Sequence, residues 1–81
     1  MPSWARGRWT SQIAGGIFVI SSNSMTMSYQ PEIGGESSTH YLRKIENDRL
    51  DFGEYIIRQG NANTIFIMVV TEGREFSYTK D

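Results

Sequence analysis

The longest apolar run of the chain, in Asn63–Thr71, predicts a strand that is covered on both faces. Six consecutive apolar residues extend from Ile65 to Val70, and turn-forming residues flank them at Gly60–Asn63 and Glu72–Gly73. A β-branched run of this length between such borders favours a strand over a helix. Because successive side chains of a strand point to opposite faces, an unbroken apolar run needs a cover on each side. One face belongs to the core, and the other is expected to meet a second surface.

Shorter apolar segments, most of them alternating with polar residues, predict seven more strands, separated by Gly, Pro, Asn, Asp or Ser. These segments are Gly7–Ile13, Ile17–Ser21, Met25–Gln30, Ser38–Glu46, Arg49–Phe52, Glu54–Gln59 and Arg74–Lys80. Connections this short favour hairpins, and closing the meander removes its exposed edges. The pattern predicts an all-β, antiparallel, up-and-down meander that closes into a barrel of about eight short strands. We expect a flexible arm over residues 1–6 and one domain over 7–81. A helix over Tyr41–Leu50 is the alternative for that segment.

Composition and charge exclude several classes of function. The 81 residues include no Cys and one His, which excludes disulfides and zinc sites built from thiolates or several imidazoles. Charges are scattered along a chain of net charge −1, so no nucleic-acid footprint is visible. No apolar stretch approaches the ~20 residues of a membrane-spanning helix. These features predict a cytoplasmic protein that binds neither nucleic acid nor a membrane.

The sequence predicts no catalytic set. His40 neighbours a run of Ser and Thr, but alternation along the strand places it on the outward parity with Leu42 and Lys44. Acidic residues cluster around the turn after Glu46, but they alternate with Lys and Arg, which is typical of a solvated hairpin tip. We therefore expect a protein that is not an enzyme and that holds no cofactor and no metal.

The first strand, Gly7–Ile13, has the sequence GRWTSQI. It resembles the opening strand of avidin-type and lipocalin-type barrels, which begin their meander with Gly-x-Trp. The resemblance implies that Trp9 closes one end of the barrel. It also implies that Ser11 and Gln12 match polar positions that hold part of an avidin ligand. Lipocalins stack a late Arg on this Trp, and Arg74 is the counterpart that the resemblance suggests.

Two functions are compatible with this pattern. The first is a non-enzymatic protein-interaction module of the inhibitor, immunity or anti-defence type, which associates with itself as a homodimer or with another protein. A three-residue loop at Asn61–Asn63 would set Ile56 opposite Met68 and Arg58 opposite Phe66 on the outer face. The predicted interface consists of Phe18, Ile20, Ile56, Phe66, Met68 and Val70.

The second function is a calycin-like barrel that binds a small ligand. Its predicted pocket is lined by Trp9, Ser11, Tyr29, Tyr41, Tyr55 and Tyr78. An enclosed cavity of roughly 300 Å³ or more distinguishes this function from the first.

Overall fold

The computed structural model describes residues 2–21, 26–31 and 35–81. All regular secondary structure within these ranges is β-strand. The strands predicted for Tyr41–Leu50 are therefore confirmed over the alternative helix. The described residues contain no helix that is long and apolar enough to cross a membrane. Met25, predicted to begin the third strand, lies outside the described residues. The strands are β1 (Gly7–Thr10), β2 (Ile17–Ile20), β3 (Thr26–Gln30), β4 (Ser38–Tyr41), β5 (Lys44–Glu46), β6 (Arg49–Asp51), β7 (Tyr55–Gln59), β8 (Thr64–Val69) and β9 (Arg74–Lys80).

The nine strands form one strongly curled antiparallel sheet, which confirms the predicted up-and-down meander. Their order is β4-β3-β2-β1-β9-β8-β7-β6-β5. The first and last strands pair with each other, with Trp9 opposite Lys80 and Thr10 opposite Thr79. A salt bridge from Arg8 to Asp81 extends this contact beyond the end of β9. The N-terminal and C-terminal strands therefore join the two halves of the meander.

β4 and β5 are two halves of one interrupted strand. They lie at opposite ends of the sheet order, but only Leu42 and Arg43 separate them along the chain. Because every strand pair between them is antiparallel, they run in the same direction. The first half pairs with β3 and the second with β6. The two edges of the sheet thus meet within one stretch of chain, corresponding to the predicted strand Ser38–Glu46.

The interruption also changes which residues face inward. In β4 His40 faces inward, and its side chain is 13% exposed. In β5 the inward position is Ile45, which lies opposite the buried Leu50. The inward parity therefore shifts across Leu42–Arg43, as it does at a β-bulge. The predicted outward orientation of His40 is wrong for this reason, since strict alternation allows for no such shift.

The core is built from the inward residues of the strands and from their apolar flanks. The buried apolar residues are Ala5, Trp9, Phe18, Ile20, Leu50, Phe52, Ile57, Ile65, Ile67 and Tyr78. In β8 the alternation is as predicted, with Ile65 and Ile67 buried and Phe66 half-buried on the other face. The continuous apolar run therefore contributes one face to the core.

The predicted outward orientation of Phe18 and Ile20 is wrong. Both side chains are buried, each with 2% of its surface exposed. The pairing of β2 with β1 explains this, because Trp9 faces inward and lies directly opposite Phe18. Directly opposed residues of an antiparallel pair share a face of the sheet. The apolar sequence IFVI carries no alternation of its own, so the neighbouring strand decides its orientation.

The segment before β1 packs onto the barrel beside Trp9. Ala5 is buried, and its carbonyl accepts a hydrogen bond from Nε1 of Trp9 at 2.9 Å. The ammonium of Lys80 lies 5.7 Å from the Trp9 ring. Arg74 lies instead above Phe76, with its guanidinium carbon 5.8 Å from the ring centroid. The cation beside the first-strand tryptophan is therefore Lys80, and the predicted pairing with Arg74 is wrong.

Replacing Trp9 by alanine is expected to lower the free energy of unfolding by about 3–5 kcal/mol, because it removes a fully buried aromatic side chain and its hydrogen bond. Ile13→Ala is the matched control, since Ile13 is 82% exposed, and it is expected to cost less than about 0.5 kcal/mol. Urea denaturation followed by circular dichroism measures both. A loss below about 1 kcal/mol for Trp9→Ala would contradict the role of Trp9 in the core.

Candidate functional site

A pocket of about 530 Å³ lies at the tyrosine-rich end of the barrel, and we call it the tyrosine pocket. Aromatic side chains from four strands form its walls, and residues of the β1–β2 connection and of the β8–β9 turn line its mouth. Its described lining residues are Ile13, Ala14, Phe18, Tyr29, Tyr55, Val69, Glu72, Arg74, Phe76 and Tyr78. A pocket of this volume is within the range of small-molecule sites.

Phe18 is the centre of the aromatic wall. Its ring centroid lies 4.8 Å from that of Tyr29 and 5.1 Å from those of both Tyr55 and Tyr78. The contacts with Tyr55 and Tyr78 are edge-to-face, at interplanar angles of 76° and 84°. Such geometry is favourable for aromatic pairs and fixes each ring against its neighbours. The three tyrosines therefore converge on one buried ring.

The phenol groups of Tyr55 and Tyr78 are held in the neutral form. Burial, reinforced by Tyr29 and Tyr55, raises the pKa of Tyr78 to about 12. Burial also raises the pKa of Tyr55, with a further contribution from Tyr29. The hydroxyl of Tyr78 donates a hydrogen bond to the carbonyl of Gly15 at 3.4 Å. A neutral phenol both donates and accepts hydrogen bonds, so these groups can recognise uncharged polar atoms.

The ring of Tyr29 rests on the backbone of Gly16. Gly16 has a φ of 78°, and a Cβ at this position would lie 2.6 Å from Cε1 of Tyr29. Only glycine combines this backbone conformation with such a close approach. The turn residue Gly16 therefore helps to orient one wall of the pocket.

The structure brings together three of the six predicted pocket residues, which are Tyr29, Tyr55 and Tyr78. Trp9 is in the core and is not among the described lining residues. Ser11 turns away, and its hydroxyl accepts a hydrogen bond from the backbone N–H of Ala14 within the β1–β2 connection. For Trp9 and Ser11 the predicted pocket position is therefore wrong.

Tyr41, the sixth predicted pocket residue, is 69% exposed. It follows His40 in β4, and neighbouring residues of a strand point to opposite faces. Since His40 faces inward, Tyr41 faces outward, and its predicted place in the pocket is wrong. Sequence analysis missed Phe18 as the central ring, and the inward orientation of its partner Trp9 was the signal that could have identified it.

A second group of polar side chains surrounds His40, beside the tyrosine pocket. The hydroxyl oxygen of Ser38 lies 3.0 Å from Nε2 of His40, and a carboxylate oxygen of Glu54 lies 3.9 Å from Nδ1. The imidazole ring packs edge-on against Tyr55, with centroids 4.9 Å apart. The i, i+2 spacing of Ser38 and His40 was the signal in the sequence, because such residues share one face of a strand.

The outer face of β7 and β8 has the register that the loop length predicts. Ile56 lies opposite Met68, and Arg58 lies opposite Phe66, which confirms both pairs. The guanidinium carbon of Arg58 lies 4.3 Å from the Phe66 ring centroid. Two hydrogen bonds, at 3.0 and 3.3 Å, join the same guanidinium to the carboxylate of Glu75. A charged pair from the same chain therefore lies across this apolar face.

The described residues contain no cluster of three or more His, Asp and Glu side chains that could hold a metal ion.

We predict that Gly16→Ala destabilises the protein more than Gly73→Ala does. Both glycines have positive φ, at 78° and 65°, but a Cβ on Gly73 would have nothing within 4 Å. Gly73→Ala is expected to cost about 1 kcal/mol from backbone strain alone. Gly16→Ala adds the contact with Tyr29 and is expected to cost about 2–3 kcal/mol. Equal losses in urea denaturation would contradict the role of Gly16 in orienting Tyr29.

Stability is expected to fall between pH 10 and 12 in a manner that depends on Tyr78. In this interval the unfolded chain releases the phenol proton at its ordinary pKa of 10.0, whereas the folded chain retains it. The stabilisation is complete below pH 10 and is lost as the pH rises through the folded pKa. The slope contributed by one such group is at most about 1.4 kcal/mol per pH unit.

Urea midpoints measured across this pH range test the prediction. Tyr78→Phe should flatten the decline, and Tyr41→Phe should leave it unchanged because Tyr41 is exposed. Parallel declines in wild type and Tyr78→Phe would show that Tyr78 does not carry the effect.

Comparison with known proteins gives no family assignment. No family model matches the chain, and no curated protein or solved structure shows significant similarity to it. The similarity of the first strand to avidin-type and lipocalin-type barrels therefore stays a prediction.

Proposed function

We propose that the protein binds a small molecule in the tyrosine pocket. The observation that carries this proposal is a pocket of about 530 Å³ whose walls are aromatic and whose polar groups include three phenol hydroxyls. Small-molecule sites are mostly apolar, with a few polar groups that fix the orientation of the ligand. The volume of this pocket exceeds the ~300 Å³ expected of a ligand-binding barrel, although the pocket is open at its mouth and not enclosed. A calycin-like mode of binding remains part of the proposal.

The chemistry of the walls selects a planar, largely apolar ligand. The rings of Tyr29 and Phe76 line the pocket and favour contact with another ring, whereas Phe18 is buried beneath its aromatic neighbours. Tyr55 and Tyr78 keep their protons, so they offer hydrogen bonds without a negative charge. The remaining charged groups of the described lining are one carboxylate, Glu72, and one guanidinium, Arg74, at the mouth. A planar aromatic ligand with hydrogen-bonding substituents fits this environment.

We predict that anilinonaphthalene sulfonate, an aromatic probe that fluoresces in apolar sites, binds to the wild-type protein and is excluded by Ala14→Trp. Ala14 is exposed and lines the pocket mouth, so a larger side chain there obstructs entry without replacing a buried residue. Ala62→Trp is the control, because Ala62 is exposed in the turn before β8.

Fluorescence titration should show an affinity loss of at least about tenfold for Ala14→Trp and no change for Ala62→Trp. Equal loss in both variants, or no binding to the wild type, would contradict the proposal. Tyr55→Phe and Tyr78→Phe each remove a hydroxyl and keep the ring, so they test hydrogen bonding separately from the shape of the pocket. Each is expected to weaken the binding of a polar aromatic ligand by about two- to tenfold.

A second candidate function is protein binding through the outer face formed by Ile56, Phe66, Met68 and Val70. Val70 is 43% exposed, and the Ile56–Met68 pair supports a continuous apolar surface there. Phe18 and Ile20 belong to the core, so this face is smaller than the sequence predicts. A symmetric homodimer is the simplest partner for it. An inhibitor or immunity role and a cytoplasmic location stay predictions.

For this candidate we predict that Phe66→Glu combined with Met68→Lys shifts a dimer to monomer in light scattering. Both side chains are half-buried on the outer face, so charges there oppose association without entering the core. Ile13→Lys is the control, because Ile13 is exposed and lies outside this face. A wild type that is monomeric at high micromolar concentration would rule out the homodimer.

A further inference from the structure

Ser38, His40 and Glu54 form a relay of polar side chains where β4 faces the corner between β6 and β7. The hydroxyl of Ser38 lies 3.0 Å from Nε2 of His40, within hydrogen-bond distance. The carboxylate of Glu54 lies 3.9 Å from Nδ1, on the opposite side of the ring. The imidazole thus contacts a hydroxyl through one nitrogen and faces a carboxylate through the other. This is the arrangement by which a base activates a nucleophile while a third group orients the base.

The imidazole is held in place by packing. Its side chain is 13% exposed, and its ring lies edge-on against Tyr55 at a centroid distance of 4.9 Å and an interplanar angle of 80°. Ser38 lies opposite Tyr29 in the β3–β4 ladder, so its backbone position is fixed by the sheet. The two side chains therefore keep their relative orientation without a bound ligand.

The corner that carries Glu54 is fixed by backbone hydrogen bonds. The N–H of Phe52 donates to the carbonyl of Tyr55 at 2.9 Å, and the N–H of Val70 donates to the carbonyl of Glu54 at 3.0 Å. The side chain of Asp51 accepts a hydrogen bond from the N–H of Gly53 at 2.7 Å. The carboxylate of Glu54 is therefore attached to a rigid turn, although the side chain itself is exposed.

A surface depression of about 550 Å³ adjoins the relay, and its described lining includes His40, Glu54 and Arg43. Ser38 is not among the lining residues, and it reaches this depression through its contact with His40. The guanidinium of Arg43 in this depression suits an ester. Its positive charge is complementary to the negative charge that develops on the carbonyl oxygen when an ester is attacked. We call this depression the seam site.

We propose that Ser38 is a nucleophile for acyl transfer, with His40 as its general base and Glu54 as the positioning residue for the imidazole. This goes beyond ligand binding in the tyrosine pocket and does not depend on it. The substrate class is a carboxylic ester with a good leaving group.

The reaction balances without any additional reactant except water. The oxygen of Ser38 bonds to the carbonyl carbon, and its proton passes to Nε2 of His40. The bond from that carbon to the leaving oxygen then breaks, and the leaving group takes the proton from His40. Water attacks the acyl-serine, its proton passes through His40 to the oxygen of Ser38, and a carboxylic acid is released.

A fluorophosphonate probe followed by peptide mapping tests this proposal on the full chain. The expected result is one covalent label per molecule, located on Ser38, and acetylation of the same residue by nitrophenyl acetate. Ser37→Ala is the matched control, because Ser37 is an exposed serine next to Ser38 and is not among the lining residues of the seam site. It should label at the wild-type rate, whereas Ser38→Ala should not label.

Variants of the other two residues test their roles. His40→Gln should slow labelling of Ser38 by about 100-fold. Glu54→Gln keeps an oxygen that can face Nδ1, so Ser38 should be labelled faster in this variant than in Glu54→Ala. If Glu54 had only a structural role, the two variants would not have to differ in labelling rate. Circular dichroism confirms that each variant is folded.

Three outcomes would overturn the proposal. They are an unlabelled folded wild type, labels distributed over exposed serines such as Ser37, and an unchanged rate in a folded His40→Gln variant. The first two need no variant that could fail to fold, so the proposal can be rejected with the wild-type protein alone.

Discussion

The packing of Phe18 against three tyrosine rings is the interaction on which the rest of the structure depends. Its ring lies within 5.1 Å of the rings of Tyr29, Tyr55 and Tyr78, which come from β3, β7 and β9. Each aromatic contact of this type contributes about 0.5–1.5 kcal/mol beyond the burial of area. Phe18 therefore connects strands that are distant in the sequence, and the tyrosine pocket is built against its partners. Loss of this ring would affect the core and the pocket together.

The curled sheet is a half-barrel that is not closed by pairing between its edge strands β4 and β5, and polar side chains lie at this opening. The strand Ser38–Glu46 pairs with β3 along its first half and with β6 along its second, so its first half leaves an edge toward the corner at Gly53. If the sheet were closed, backbone hydrogen bonds to a neighbouring strand would occupy that edge. Here the side chains of His40 and Glu54 face each other across it. The seam site therefore follows from the incomplete closure of the sheet at this edge.

The outer face of β8 shows how the chain covers part of its own apolar surface. Arg58 lies over Phe66 and is bound to Glu75 by two hydrogen bonds, so a planar cation and its partner shield the ring. The hydrocarbon part of such a side chain covers apolar area while its charge stays in water. The second cover that the continuous apolar run requires is thus supplied in part by the chain itself. Val70 stays exposed at the end of the run.

The sequence by itself determined the class of fold, the eight strand segments and the inward face of β8, because turn residues and a period of two are local signals. It also identified Tyr29, Tyr55 and Tyr78 as residues that share a pocket. Only the tertiary structure decided the orientation of Phe18, since a uniformly apolar strand takes its inward face from its neighbour. It likewise decided the position of His40, because a parity shift inside a strand reverses the facing of the residues on one side of it relative to those on the other. Local patterns therefore specify the elements, and pairing between strands specifies which side chains meet.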